Sequence, residues 1–440
     1  MAGILFERLL VGSFTIQAVK PNMEMTGRNR HAWLLDVLAL GLALFGVAHV
    51  ARILPSRAIA DDFAHYYISS RLLLTGGDVY STPLRPEYQR WGFHYTHAIP
   101  TATNPPLLVG VFAPFAALPP RAAFWAWVSL EILSLGGVLA LIWRLTAPSL
   151  SMRARRLVCA GIIASAPVYW HFFFSQSQLL IALIILIAYA CLRNGRPAAA
   201  CLAITTAAWL KFFPAVLVPW FLWRASREPK IRWKCGGVVL VWSIGLVAAS
   251  GLEHWKQFWL HAANVLEAWM EWQRHFNFTV PSFVKNAVWS LHGFDPEWNG
   301  LHLWTEIGAA VGIALIELAY SVIWCQGRRK TEEDIESEFC FLSIAMLAGI
   351  AEGWGHYFVI LAFPVAVAVA RAMQRPDYGR VVILSIAIVM LNLMGSWKSP
   401  WLEFAVSYIP LYGLLLLGSL FLKEMLKPQP QSGSVTRSVL

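Results

Sequence analysis

Residues 198–223 read AAACLAITTAAWLKFFPAVLVPWFLW, 26 residues that hold one charged side chain, Lys211, with Pro214 three positions beyond it. A helix needs about 17 to 25 apolar residues to cross a bilayer, and the run has that length. Its centre does not suit an unbroken span. A charge left at the bilayer centre costs about 2.5 to 3.5 kcal/mol on insertion scales, and a proline removes a helical hydrogen bond. The spacing predicts two half-length helices meeting at Lys211, an outward-going half and then an inward-going half, with the ammonium near the outer leaflet and able to meet a lipid phosphate. Snorkelling of the lysine to the interface is the other reading.

The rest of the chain agrees with a membrane solvent. Hydrophobic residues make up 58% of the 440 and charged residues 14%, with a mean hydropathy of +0.55, values that soluble globular domains do not reach. Apolar runs recur around 33–51, 121–143, 157–174, 178–192, 235–252, 303–324, 338–352, 356–371, 379–395 and 404–422. The expectation is an all-α, polytopic helical bundle of about 12 spans. It counts residues 198–223 as two helices and holds residues 106–118, flanked by Pro105, Pro106, Pro119 and Pro120, as a piece that does not cross.

Lys and Arg concentrate in short cytoplasmic loops. Arg28 and Arg30, Arg153 to Arg156, Arg193 and Arg196, Arg224 to Lys234, Arg328 to Lys330, Arg371 and Arg375, and Lys423 and Lys427 fall in alternate gaps. Both termini are thereby predicted to be cytoplasmic. The same rule explains the formal net charge of +10, so the charge gives no support to a nucleic-acid partner. Three segments follow: a cytoplasmic start at 1–32 without a signal peptide's apolar stretch or cleavage site, a transmembrane region at 33–425, and a polar, disordered tail at 426–440. The six cysteines avoid the outer loops, so no disulfide framework is implied.

Two long polar segments, 52–104 and 253–300, fall together on the outer side. In the first, DDFAHYYISSRLLL from Asp61 spaces Phe63, Tyr66, Tyr67, Leu72 and Leu73 as one apolar face of a short helix lying on the membrane surface. Asp61 and Asp62 stand at its N-terminal end. One of them can cap the helix, but two adjacent aspartates cannot both be that cap. HYTH presents His94 and His97 at a spacing of three, a weak metal-binding signal beside several prolines. Near the C-terminal third, AEGWGHYFVILAFP puts Glu352, Trp354, His356 and Tyr357 at the outward end between two spans. An interfacial aromatic belt explains the Trp and Tyr. It does not explain Glu352 and His356.

Taken in order, these pieces resemble the polyprenol-phosphate-dependent glycosyltransferases of glycosyltransferase family 87, membrane enzymes of the GT-C fold. DFAHYYISSRLLLTGGDVY from Asp62 resembles the family's Asp-Phe/Leu, spaced Tyr and Gly-Gly-Asp-x-Tyr stretch. NPPLLVGVFAPFAALP from Asn104 is similar to its Tyr-Pro-Pro segment, with Asn104 in place of Tyr. The stretch from Ser175 to Arg224 resembles its Gly-Gln stretch, basic turn and Lys-x-x-Pro helix break, with Ser175 where Gly is common before Gln176. EGWGHYFVILAFP from Glu352 is similar to its late Ser-Trp-x-His-His/Tyr stretch. NFTVPSFVKNAVW from Asn277 is similar to an Asn-x-Ser segment, with Thr279 at the third position.

The resemblance implies an inverting hexosyltransferase of the bacterial inner membrane, its active site facing outward. It would move a sugar, mannose first and a pentose such as arabinofuranose second, from a polyprenyl-phosphate donor to a hydroxyl of a lipid or glycan acceptor. Asp62 matches the position of the catalytic base, with Asp61 in support. Lys211, His356, Tyr66, Glu352 and Gln176 are the expected substrate-binding residues, with no metal and no cofactor. Two other classes stay open. Asp36, Glu131 and Glu317 within spans keep a transporter or flippase of lipid-linked substrates in view, and a scaffold without chemistry leaves the acidic, aromatic outer loops unexplained.

Overall fold

The structure is a computed structural model that describes residues 32–57, 61–94, 101–225, 228–262, 277–295, 298–327, 331–375, 377–393 and 406–427. The first 31 residues, His97, residues 263–276 of the second polar segment and the tail from 428 lie outside the described residues. Among the described residues the chain is helical, with a single isolated β-bridge between Asn277 and Trp354.

In chain order the helices are α1 (Ala32–Arg57), α2 (Asp61–Leu74), α3 (Leu84–Trp91), α4 (Pro106–Ala116), α5 (Pro120–Leu145), α6 (Met152–Ile163), α7 (Ala166–Phe174), α8 (Gln178–Arg193) and α9 (Pro197–Leu210). They continue as α10 (Val218–Arg224), α11 (Pro229–Ser250), α12 (Leu252–Gln257), α13 (Val280–Leu291), α14 (Leu301–Cys325), α15 (Glu332–Gly349), α16 (Ala362–Gln374), α17 (Tyr378–Asn392) and α18 (Ile409–Met425). Short 3-10 turns at Phe213–Leu217 and Gly355–Leu361 lead into α10 and α16. Prolines set several starts: Pro106, Pro120, Pro197 and Pro229 each open a helix, where a missing N–H costs nothing.

Among the described residues five segments are long and apolar enough to cross a membrane: Trp33–Arg57, Pro120–Leu145, Pro229–Ser250, Leu301–Cys325 and Gly355–Gln374. The pair α6 and α7, bent by 40°, makes a sixth if it is one span. Leu40, Leu44 and Phe45 on α1 and Leu240, Val241 and Ile244 on α11 are exposed, as lipid-facing residues are, and the protein is an integral membrane protein. Helix α4 has 11 residues, about 16 Å of helix, roughly half the hydrocarbon thickness.

The apolar run at 198–223 breaks at Lys211. Helix α9 ends at Leu210, Lys211 is extended (φ −147°, ψ 133°), and Pro214 sits in the following 3-10 turn. Helix α2 corrects an expectation. Every residue from Phe63 to Ser70 is buried, so the helix does not lie on a membrane surface with one apolar face. The rings of Phe93, Phe112 and Phe124 surround Phe63, and a helix enclosed on all sides needs no apolar stripe.

Glycines allow the tightest approach. A side chain at Gly312 of α14 would overlap the Gly349 carbonyl of α15, and one at Gly308 would overlap Pro281 of α13. Small residues four apart let helix backbones touch in this way.

The basic flanks find carboxylates at the end of α15 away from Gly349. Arg193 meets Glu332 at 2.6 Å, Arg371 meets Glu336 at 3.1 Å, and both Arg371 and Arg380 bind Glu424. Buried Glu338 accepts from Arg224 Nε at 2.7 Å and from Trp220 Nε1 at 3.1 Å. Of the three span carboxylates, Asp36 pairs with Arg153 and Arg156 at 3.2 and 3.1 Å, and Glu131 lies 3.1 Å from His171 with both buried. Glu317 is exposed on α14.

Candidate active site

Two broken helices and one enclosed helix bring their polar side chains to a single cavity of about 570 Å³. Helix α2 contributes Asp62, His65 and Tyr66, spaced i, i+3 and i+4 and so on one face. The loop before α4 adds Thr103, Asn104 and Pro105, and the 349–357 region adds Glu352, Trp354, His356 and Tyr357. Ala309, Ile313 and Ile316 of α14 form an apolar wall, again at one-face spacing.

Gln176 stands on the turn between α7 and α8. Ser175 takes a left-handed conformation there (φ 51°) and ends α7, which explains on physical grounds why a glycine suits this position. The Gln176 N–H returns to the His171 carbonyl at 3.2 Å, and Trp127 Nε1 donates to the Ser175 carbonyl at 3.2 Å. Behind the turn, Glu131 accepts from the Leu180 N–H at 3.3 Å.

The side-chain oxygen of Gln176 then accepts two bonds, from Tyr66 Oη at 2.6 Å and from Lys211 Nζ at 3.3 Å. The ammonium also lies 5.2 Å from the centre of the Tyr357 ring, a cation–π distance. Burial pushes the Tyr66 hydroxyl far above its ordinary range, so it remains a donor. The carboxylates of Glu352, Asp62 and Glu131 all act on Lys211.

Glu352 accepts from Trp354 Nε1 at 2.6 Å. Burial pushes its carboxyl upward, against the opposing effects of the Trp354 bond and the Lys211 charge. His356 is buried with its ring 5.4 Å from Phe174 and 6.0 Å from Trp354. His65 accepts at Nε2 from the Thr103 N–H at 3.1 Å, tying α2 to the loop that precedes α4.

Of the residues singled out in the sequence, Asp62, Tyr66, Gln176, Lys211, Glu352 and His356 share this cavity. Asp61 is the first residue of α2, and its side chain lies outside the described residues. His94 is exposed and its partner His97 lies outside the described residues. Among the described residues no three His, Cys, Asp or Glu side chains group to hold a metal ion. Sequence reasoning missed His65, Thr103, Phe174 and the α14 wall. For His65 the signal was present, since it follows Asp62 by three on the same helix.

The lining combines titratable side chains with the apolar Ala309, Ile313 and Ile316. The family model that matches the chain is that of glycosyltransferase family 87, over residues 102–335. The match takes in the Asn104 loop, Gln176, Lys211 and the α14 wall. No curated protein and no solved structure matches. With more than half of its 440 residues matched by that model, the chain belongs to glycosyltransferase family 87.

Proposed function

We propose that this glycosyltransferase moves a sugar, mannose in our reading, from a polyprenyl-phosphate donor to a hydroxyl of a lipid-linked or glycan acceptor. The reaction takes place on the outer side of the plasma membrane, within a 12-span bundle of the GT-C type. The single observation that carries the reading is the convergence of a carboxylate, a cation and an apolar wall on one cavity.

The acceptor oxygen attacks the anomeric carbon from the face opposite the phosphate. Asp62, with Asp61 in support, takes the hydroxyl proton as the new C–O bond forms. The bond from the anomeric carbon to the phosphate oxygen breaks, and polyprenyl phosphate leaves with the electron pair. A positioned general base contributes about 10² to 10⁴-fold. Lys211 faces the phosphate, where negative charge grows as the sugar departs, so its contact strengthens toward the transition state. Gln176, itself held by the Tyr66 hydroxyl, holds the ammonium, His356 donates to phosphate or acceptor, and Glu352 binds sugar hydroxyls. Ala309, Ile313 and Ile316 receive the first isoprene units.

The test is purified protein incubated with radiolabelled polyprenyl-phosphate mannose or polyprenyl-phosphate arabinofuranose, together with a membrane lipid extract as the acceptor source. The expected result is release of polyprenyl phosphate and a mannosylated product of inverted anomeric configuration. Preference for the pentose donor would replace mannose in the reading. Movement of intact donor across vesicles with no bond cleavage would replace the transferase by a flippase.

A further inference from the structure

Asn277 lies midway along the second polar segment, 4% exposed, and is not among the residues that line the cavity. Its amide closes on backbone groups on both sides of Glu352. Nδ2 donates to the Ala351 carbonyl at 2.9 Å, and Oδ1 accepts from the Gly353 N–H at 2.9 Å. Thr279 Oγ1 donates to the same Oδ1 at 3.1 Å, which agrees with that orientation of the amide. The Phe278 N–H adds a bond to the Gly353 carbonyl at 2.8 Å, and Asn277 and Trp354 pair as the isolated bridge. A side chain at residue 353 would overlap Thr279, so the close approach requires glycine.

The clasp has a firm mount. Thr279 caps α13 by accepting from the Ser282 N–H at 3.3 Å. Along that helix, Ser282 and Asn286 meet the Tyr408 hydroxyl at 2.9 and 2.8 Å. Gly308 packs against Pro281 from the other side.

We propose that Asn277 is a positioning residue: its amide holds the 351–354 turn so that the Glu352 carboxylate faces the cavity that contains Lys211. The proposal rests on reading that cavity as the transfer site. Asn277→Ala removes both side-chain bonds and frees the Ala351 carbonyl and the Gly353 N–H. Misplacement of a binding group by about 1 Å can cost 10²-fold in rate.

The experiment is a double-mutant cycle on purified full-length protein, read as polyprenyl phosphate released from radiolabelled polyprenyl-phosphate mannose with a membrane lipid extract. The variants are Asn277→Ala, Asn277→Asp, Glu352→Gln and the Asn277→Ala/Glu352→Gln double. Asn277→Ala is expected to lower kcat by roughly 10 to 100-fold, and the double variant to be no slower than Glu352→Gln alone. Asn277→Asp keeps the acceptor for the Gly353 N–H and recovers part of the rate. Losses that multiply in the double variant, or a lowered Tm with unchanged kcat, would overturn the proposal. If Asn277→Ala does not fold, Asn277→Asp carries the same cycle. If the wild type releases no polyprenyl phosphate, the transferase reading fails by itself. The clasp is then judged by amide hydrogen exchange, where Asn277→Ala, which removes the acceptor of the Gly353 N–H, must speed exchange at Gly353, and unchanged exchange would overturn it.

Discussion

The Lys211 ammonium and the Gln176 side-chain oxygen, 35 residues apart in sequence, are 3.3 Å apart in the folded protein. Each stands at an interruption of helix, Lys211 at the extended residue that ends α9 and Gln176 just after the left-handed turn at Ser175. A lysine ammonium has three N–H groups, so one used on Gln176 leaves two for an anionic ligand.

Asp62→Asn is expected to lower turnover by about 10² to 10⁴-fold, the range of a lost general base. Donor affinity and Tm should stay near wild type, because Asp62 is partly exposed at the cavity. Steady-state kinetics beside a thermal-unfolding scan checks this, and near wild-type turnover removes Asp62 from the mechanism.

For Lys211→Met, kcat should fall more than donor affinity, since a contact made to the departing phosphate is lost mainly in the transition state. His356→Ala should show a smaller loss in the same direction. Isothermal binding of donor, compared with turnover, separates the effects; unchanged kinetics in both variants would return Lys211 to a snorkelling role.

Both polar segments should face outward. Cysteines placed singly at Ser81 and Asp295, both exposed, in a Cys-free background should react with a membrane-impermeant maleimide in intact cells. Ser290, in the same segment, is a poor probe because it is buried and bonds the Ala287 carbonyl. Labelling at only one of the two positions would show a wrong number of crossings between them.

At Ser175 the backbone and not the side chain is expected to decide stability. A left-handed residue with a Cβ costs about 1 to 2 kcal/mol, partly offset in Ser175→Gly by the freer unfolded chain. Ser175→Gly should therefore unfold at or slightly above the wild-type temperature. Ser175→Val, β-branched at positive φ, should unfold lower and bind donor less well, since the turn carries Gln176.

Glu338→Ala should cost about 3 to 5 kcal/mol, the range for removing one member of a buried ion pair, here the carboxylate that accepts from Arg224. Asp36→Ala should change stability little, because Asp36 and both of its arginines are substantially exposed. Denaturation in detergent, followed by loss of the folded gel-filtration peak, compares the two.

The helical membrane architecture and the break at Lys211 were legible in the residues alone, because each has a local cause: a long apolar run, a charge beside a proline. The sequence also marked six side chains that meet in one cavity, through motifs whose order survives in the chain. Long-range packing alone shows that α2 is enclosed, that Asp36 and Glu131 have partners, and that Asn277 grips a turn 74 to 76 residues away. The apolar wall of Ala309, Ile313 and Ile316 was illegible for a physical reason. In a membrane protein, a side chain facing lipid and one facing an apolar cavity are drawn from the same residues, since neither is in contact with water and hydropathy cannot tell them apart.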